Sequence, residues 1–291
     1  MKKPSSDPQQ ASPHGSKRQK YPVGGKNFFL SQATFPMHKI TRETNREMYA
    51  EAAALLKTAK KAMALTGAGI SVGSGIPDFR SPGGLWSVFS PEEYATIEVF
   101  RRNPAKAWEL FRALGRVLAG REANAAHNAL AELERHGLLH GVVTQNIDNL
   151  HQQAGSRMVF EIHGDHQYLH CLRCGETVPI VPDHLQAADI PRCAGCGFPL
   201  KPNVVLFGEA VRDLDAIHAC IADCDVLLVI GTSARVYPAA ALPGIVRQRG
   251  GRIMEFNREP ALGAVTGRGD FLFQGDVLRT LPALAAACRH P

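Results

Sequence analysis

The residues most able to do chemistry lie between positions 67 and 86, where the chain reads GAGISVGSGIPDFRSPGGLW. Glycines such as Gly67 and Gly69 let the backbone approach a ligand closely. A glycine-rich loop that follows a strand commonly binds phosphate through its backbone N–H groups. The spacing departs from the dinucleotide fingerprint GxGxxG, because Val72 stands at the third glycine. The loop therefore predicts either nucleotide binding of another pattern or a simple tight turn.

Two pairs of cysteines suggest a metal site. Cys171/Cys174 and Cys193/Cys196 are CxxC pairs separated by eighteen residues. This spacing is typical of a zinc ion held by four thiolates, which leaves no position for water, so we expect the metal to be structural. A redox CxxC is the alternative. We find no apolar leader, and we therefore expect a reducing compartment, the cytoplasm, and no disulfides.

Several other polar residues follow apolar runs and have two interpretations each. His163 comes after the run 158–162, and histidine is able to accept a proton near neutral pH. Taken alone, a histidine there is more often a buried structural residue, but a position at a strand end that faces a nucleotide crevice favours proton transfer. Asn146, Asp148 and the GTS turn at 231–233 either cap helices or face a ligand.

The elements that would position these residues form an α/β pattern. Unbroken apolar runs predict strands at 62–66, 141–145, 203–207, 225–231, 252–256 and 270–273. Continuous runs separated by helical stretches indicate a parallel sheet with helices on both faces. Helices are predicted to begin at Asn103–Pro104 and at Asn124. Ligands of such sheets bind at the carboxyl ends of the strands, where the polar clusters fall, so we expect those clusters to converge on one crevice.

Composition and charge narrow the class of protein. The chain has 291 residues, of which 45% are hydrophobic and 21% charged, as in a globular protein with a sizeable core. No run approaches the eighteen apolar residues of a membrane-spanning helix. The first 40 residues hold seven Lys or Arg and one Asp, and so account for the whole net charge of +6. We expect residues 1–40 to be a disordered basic tail that contacts nucleic acid weakly at most.

Taken together, these motifs resemble those of the sirtuins, the NAD-dependent protein-lysine deacylases. The resemblance covers GAGISVGSGIPDFR, TQNIDNLH, His163–Gly164 and both CxxC pairs, then NVVLFGE, GTSARVYPAA and FNRE, in family order from residue 45 to about 283. It implies a Rossmann-like NAD-binding domain formed by residues 41–165 and 201–291. It also implies a helical insertion at about 80–125 and a small zinc lobe at 166–200.

The resemblance further implies a role for each matching residue. His163 would be the general base. The peptide that carries the acyl-lysine would lie between two extended segments, in a form of strand addition. The NAD-binding residues would be Gly67, Ala68, Gly69, Asp78, Phe79, Arg80, Trp86, Gln145, Asn146, Ile147, Asp148, Gly231, Thr232, Ser233, Asn257 and Val277. The peptide-binding residues would be Val205, Phe207, Gly208 and Glu209 on one side, with Val236 and Tyr237 on the other.

The implied reaction yields nicotinamide, O-acyl-ADP-ribose and free lysine. The branch of the family that prefers succinyl and malonyl groups carries a Tyr and an Arg three residues apart, where this chain has Phe111 and Leu114. An apolar pair cannot neutralise a buried carboxylate, so we predict acetyl or longer neutral acyl groups.

Two alternatives stay open, namely ADP-ribosyl transfer to protein and a non-catalytic NAD-sensing or zinc-dependent interaction module. We expect a monomer.

Overall fold

The computed structural model describes residues 42–79, 83–262 and 270–289. The strands in these ranges are β1 (Ala62–Thr66), β2 (Val142–Thr144), β3 (Val159–Glu161), β4 (Gly164–Cys171), β5 (Thr177–Pro179), β6 (Leu200–Val204), β7 (Val226–Ile230), β8 (Arg252–Asn257) and β9 (Phe271–Gln274). The helices are α1 (Arg42–Thr58), α2 (Pro91–Tyr94), α3 (Ile97–Arg102), α4 (Pro104–Leu118), α5 (Ala125–Arg135), α6 (Leu150–Gln153), α7 (Pro182–Gln186), α8 (Leu214–Ala222), α9 (Leu242–Gln248) and α10 (Val277–Arg289). Within the described ranges, none of the helices is both long and apolar enough to cross a membrane.

Six of the strands form a parallel sheet in the order β3-β2-β1-β7-β8-β9. Successive residues of β1 point to opposite faces, and both faces are covered. Ala62 and Ala64 pack in a core with residues of α1, α5 and α10, while Met63 and Leu65 pack with residues of α8 and α9. This arrangement confirms the predicted parallel sheet and explains why its strands are continuously apolar. The chain order reverses between β1 and β7, which is where open α/β sheets bind ligands.

The apolar run at 203–207 does not join this sheet, so that strand prediction was wrong. The structure instead has β6 at Leu200–Val204, in an antiparallel three-stranded sheet of order β5-β4-β6. The strand reads LKPNV and overlaps the apolar run at residues 203–204 alone, so the run marked neither the bounds of the strand nor its partners. Residues 205–207 continue beyond the strand. The three-stranded sheet extends from Gly164 to Val204 and thus encloses the predicted lobe at 166–200.

Helix α4 joins the helical insertion to the three-stranded sheet. It begins as predicted at Pro104, with the Asn103 side chain accepting a hydrogen bond from the Lys106 N–H. Trp108 is fully buried, and its Nε1 donates to the Leu200 carbonyl at 2.9 Å. Its neighbours on the helix share a core with Leu169 of β4. The insertion is therefore fixed on the small sheet, which sets the position of the α4 face described below.

Candidate functional site

The carboxyl ends of β1, β2, β7 and β8 open into one cavity of about 900 Å³. Its lining brings together most of the residues predicted for NAD, namely Gly67, Ala68, Gly69, Asp78, Phe79, Trp86, Gln145, Asn146, Ile147, Gly231, Thr232, Ser233, Asn257 and Val277. The predicted base and peptide residues line the same cavity: His163, Val205, Phe207, Gly208, Glu209, Val236 and Tyr237. Asp148 lines a separate small cavity of about 30 Å³. Arg80 lies outside the described residues.

The loops after β1 and β7 meet backbone against backbone at the cavity. The Gly69 N–H donates to the Gly231 carbonyl at 2.8 Å. Gly231 has φ +56°, and a Cβ there would lie 2.4 Å from the Ile70 nitrogen. Neither the conformation nor the space accepts a side chain, so glycine is required at this contact.

Side chains from the loop after β2 hold the other two loops in place. Gln145 Nε2 donates to Thr232 Oγ1 at 2.9 Å, which links this loop to the one after β7. Asn146 Nδ2 donates to the Gly67 carbonyl at 3.2 Å and to Ser71 Oγ at 3.0 Å. These bonds make the three strand-end loops one connected unit.

Asp148 is held beside this unit by Ser71. Ser71 Oγ donates to one carboxylate oxygen of Asp148 at 2.6 Å, and the Leu150 N–H donates to the other at 3.1 Å. Burial raises the pKa of Asp148, and these hydrogen bonds oppose that rise. Ser71 belongs to the GAGIS motif, but its contact with a residue 77 positions away gave no signal in the sequence.

His163 is arranged as a proton acceptor. Its Nδ1 lies 2.9 Å from the Gln145 carbonyl oxygen. Because a carbonyl only accepts, the ring proton is on Nδ1, and Nε2 keeps its lone pair. Burial lowers the pKa of His163, while the bond to Gln145 raises it. The imidazole is therefore neutral near pH 7 and able to take a proton from a group bound in the cavity.

One part of the cavity is apolar. Leu110, Phe111 and Leu114 of α4 line it, together with Ala95. The rings of Phe79 and Trp86 lie with their centroids 5.1 Å apart on the same cavity. Phe111 and Leu114 were predicted to contact the acyl group, but the face that α4 turns to the cavity was not evident from the sequence.

Some lining residues lie in or beside the matched motifs but were given no role from the sequence. Among them are Arg235 in GTSARVYPAA, Arg258 and Glu259 in FNRE, and Pro260 and Ala261 just after it.

The four cysteines of the CxxC pairs form one cluster. Their sulfur atoms all lie within 4.8 Å of one another. Cys171 Sγ is 3.5 Å from Cys196 Sγ, and Cys174 Sγ is 3.4 Å from Cys193 Sγ. A tetrahedral zinc ion with Zn–S bonds of about 2.3 Å places its sulfurs about 3.8 Å apart, whereas a disulfide requires about 2.05 Å. The donor set therefore fits zinc, and none of the four cysteines lines the large cavity.

The fold and the cavity define a nucleotide-binding α/β protein with a separate four-cysteine metal site. Comparison with known proteins identifies the family, since the model of the Sir2 family matches residues 67–238. An NAD-dependent protein deacetylase of Caldivirga maquilingensis is 46% identical over 213 residues, 72% of this chain and 82% of the relative. An NAD-dependent protein deacylase of Pyrococcus furiosus is 41% identical over 249 residues, 84% of this chain and 99% of the relative. The chain belongs to the Sir2 family, as the motifs predicted.

Solved structures agree with this assignment. A complex of a Sir2 homologue with NAD is 36% identical, covers 86% of this chain and 94% of its own, and has a TM-score of 0.73. A Sir2 protein bound to a myristoylated histone peptide is 37% identical and has a TM-score of 0.68; the match covers 84% of this chain and 97% of that protein's chain. The predicted fold class, a Rossmann-like sheet with a zinc-binding lobe, is confirmed.

Proposed function

We propose that this protein removes acetyl or longer neutral acyl groups from lysine side chains of proteins, with NAD as co-substrate. The observation that carries the proposal is the shared cavity, which His163 lines together with glycine-rich loops that suit a nucleotide. Deacylase and deacetylase are the activities named for the relatives at 41% and 46% identity.

The residues of the cavity fit a dinucleotide. The Gly67–Gly69 backbone and the loop around Gly231 would contact its phosphates, as glycine loops at strand ends commonly do. Gln145 and Asn146 would hold the nicotinamide ribose, and Asp148, oriented by Ser71, the nicotinamide carboxamide. When bound, NAD supplies a ribose carbon that becomes electrophilic as nicotinamide leaves.

His163 would act as the general base of the reaction. Its Nε2 would take a proton from a ribose hydroxyl, and the bond from Nδ1 to Gln145 fixes the tautomer that makes this possible. Catalysis of this kind contributes about 10²–10⁴-fold in rate. An apolar residue such as Phe79 would keep bulk water from the reacting carbon.

The peptide would bind between residues 205–209 and Val236–Tyr237, all of which line the cavity. Two of their large apolar side chains are exposed, Phe207 to 49% and Tyr237 to 75%. Exposed aromatic residues at the rim of a cavity are typical of contact with a partner chain. A structural relative bound to a myristoylated histone peptide supports a peptide as the ligand.

The apolar lining selects the acyl group. Leu110, Phe111 and Leu114 present hydrocarbon where a succinyl group would bring a carboxylate. Burying a carboxylate there without a partner is costly, whereas an acetyl group or a longer alkyl chain gains from the contact.

The proposal is tested by turnover of acetyl, butyryl, myristoyl and succinyl peptides with NAD. We expect O-acyl-ADP-ribose, identified by mass spectrometry, and a higher rate for the acetyl peptide than for the succinyl peptide. Leu114→Arg should shift the ratio of the two rates toward succinyl. A succinyl rate above the acetyl rate in the unaltered protein would refute the acyl preference. Label from radioactive NAD found in protein instead of O-acyl-ADP-ribose would favour ADP-ribosyl transfer.

The zinc ion would stabilise the small lobe at 166–200, held by Cys171, Cys174, Cys193 and Cys196. It would have no part in the chemistry, because four protein ligands complete its coordination.

A further inference from the structure

Residues 205–209, here called the 205–209 segment, connect two parts of the site. The Val205 N–H donates to the carbonyl of His163 at 2.7 Å. The Phe207 N–H donates to the Ala95 carbonyl at 2.9 Å, and its own carbonyl accepts from the Ile97 N–H at 3.0 Å. The segment is therefore hydrogen-bonded both to the residue that carries the imidazole and to the helical insertion. The position of the segment relative to His163 therefore depends on these backbone hydrogen bonds and on the contacts that hold the two ends of the segment.

A buried lysine joins the two ends of this segment. The Lys201 side chain is 2% exposed, and its Nζ lies 3.1 Å from Glu209 Oε2. The same Nζ donates to the Val204 carbonyl at 2.5 Å. Glu209 Oε2 also accepts from the Leu206 N–H at 2.8 Å. One ammonium group thus contacts the residue just before the segment and the residue that closes it.

This ion pair needs an explanation other than stability. A lysine is rarely fully buried, and a buried ion pair seldom gives more stability than apolar residues of the same volume. The best-attested use of such a pair is to specify one arrangement among several. Burial lowers the pKa of Lys201, while Glu209 raises it, so the pairing with Glu209 favours the charged form. The Glu209 carboxylate is already engaged inside the protein, so its contribution to a peptide site would be through its backbone.

We propose that the Lys201–Glu209 ion pair positions the 205–209 segment for peptide binding and holds it in register with His163. This inference rests on the proposed function, because it assigns the segment a peptide. Lys201 is a positioning residue, since its contacts are with Glu209, Val204 and Pro202. NAD binding should not depend on it, because Lys201 is absent from the residues that line the cavity.

Two variants separate positioning from stability. Lys201→Met keeps the length of the side chain but leaves the half-buried Glu209 carboxylate without its cation. The double variant Lys201→Met/Glu209→Gln removes both charges, and its stability to urea should therefore recover above that of the single variant. We expect the KM for an acetylated peptide to rise at least about tenfold in both, since small misplacements of binding groups have effects of this size. In Lys201→Met the KM for NAD should stay within about twofold, since Lys201 does not line the cavity.

Arg247→Met is the matched control. Arg247 forms an ion pair with Asp270 at 2.9 Å, with side chains 21% and 3% exposed, and neither residue lines the cavity. Its loss should lower stability and leave the peptide KM unchanged. A peptide KM raised equally by this control would show that reduced stability alone explains the effect, and would overturn the proposal.

Hydrogen exchange gives a readout that does not need turnover. The Leu206 and Phe207 amides should exchange at least about tenfold faster in the double variant than in the unaltered protein, without NAD or peptide. Unchanged exchange together with an unchanged peptide KM in the double variant would overturn the role of the ion pair. Lack of turnover by the unaltered protein, with faster exchange in the variant, would instead refute the proposed function while the ion pair keeps its role in ordering the segment.

Discussion

The contact between the two glycine loops gives a quantitative prediction for Gly231→Ala. An alanine Cβ at this position would lie 2.4 Å from the Ile70 nitrogen and 2.6 Å from the Gly69 carbonyl carbon. Left-handed backbone costs a residue with a Cβ about 1–2 kcal/mol, and overpacking adds about 1–3 kcal/mol. We expect the free energy of unfolding to fall by about 2–5 kcal/mol.

Gly137→Ala separates the two contributions. Gly137 has φ +71°, and a Cβ there would meet nothing within 4 Å. This variant should lose only the conformational part, about 1–2 kcal/mol. The difference between the two variants therefore measures the close contact of the loops.

The same pair of variants tests the nucleotide site. The clash at Gly231 is relieved only if the loops move apart, and these loops line the cavity. We expect NAD to bind at least about tenfold more weakly to Gly231→Ala, which corresponds to about 1.4 kcal/mol, and normally to Gly137→Ala. Urea unfolding and calorimetric titration with NAD measure both quantities. If the two alanine variants lose equal stability and bind NAD equally well, our explanation of the loop contact is wrong.

Three further predictions concern acid stability, the metal and the pH dependence of turnover. Burial lowers the pKa of His127 to about 4 and of His151 to about 3, so below pH 6.5 the unfolded chain binds more protons than the folded one. As the pH falls from 6 to 4, the free energy of unfolding should therefore fall by about 1 kcal/mol per pH unit for each histidine, and a constant value in urea titrations would contradict this. Metal analysis should find one zinc ion per chain and a loss of zinc in Cys174→Ser; a metal-free unaltered protein with intact circular dichroism would refute a structural zinc. Because the pKa of His163 is lowered, the acid limb of kcat/KM should lie below pH 6.5, and a limb above pH 7 would argue against His163 as the base.

Much of the fold could be predicted because it depends on local sequence. The apolar run at 62–66 is strand β1 at the same residues. Asn103 and Asn124 cap α4 and α5 as predicted, since a cap is a contact between residues two or three positions apart. The cysteine spacing likewise gave a cluster able to hold one metal ion, because each CxxC pair is itself a local structure.

The remaining features depend on residues distant in sequence. The run at 203–207 gave neither the bounds nor the sheet of β6, because partner strands are chosen by tertiary packing. Ser71 and Asp148 meet only when the loops after β1 and β2 come together. The Lys201–Glu209 pair was missed for a related reason, since a lysine and a glutamate eight positions apart form an ion pair only if the chain between them turns back.

The central claim is that His163 acts on a nucleotide bound in the cavity that it lines. The most direct measurement compares His163→Ala with the unaltered protein for deacetylation of an acetylated peptide at saturating NAD, together with the Kd for NAD. We predict a rate lower by about 10²–10⁴-fold with an unchanged Kd. Deacetylation within tenfold of the unaltered protein would contradict the claim.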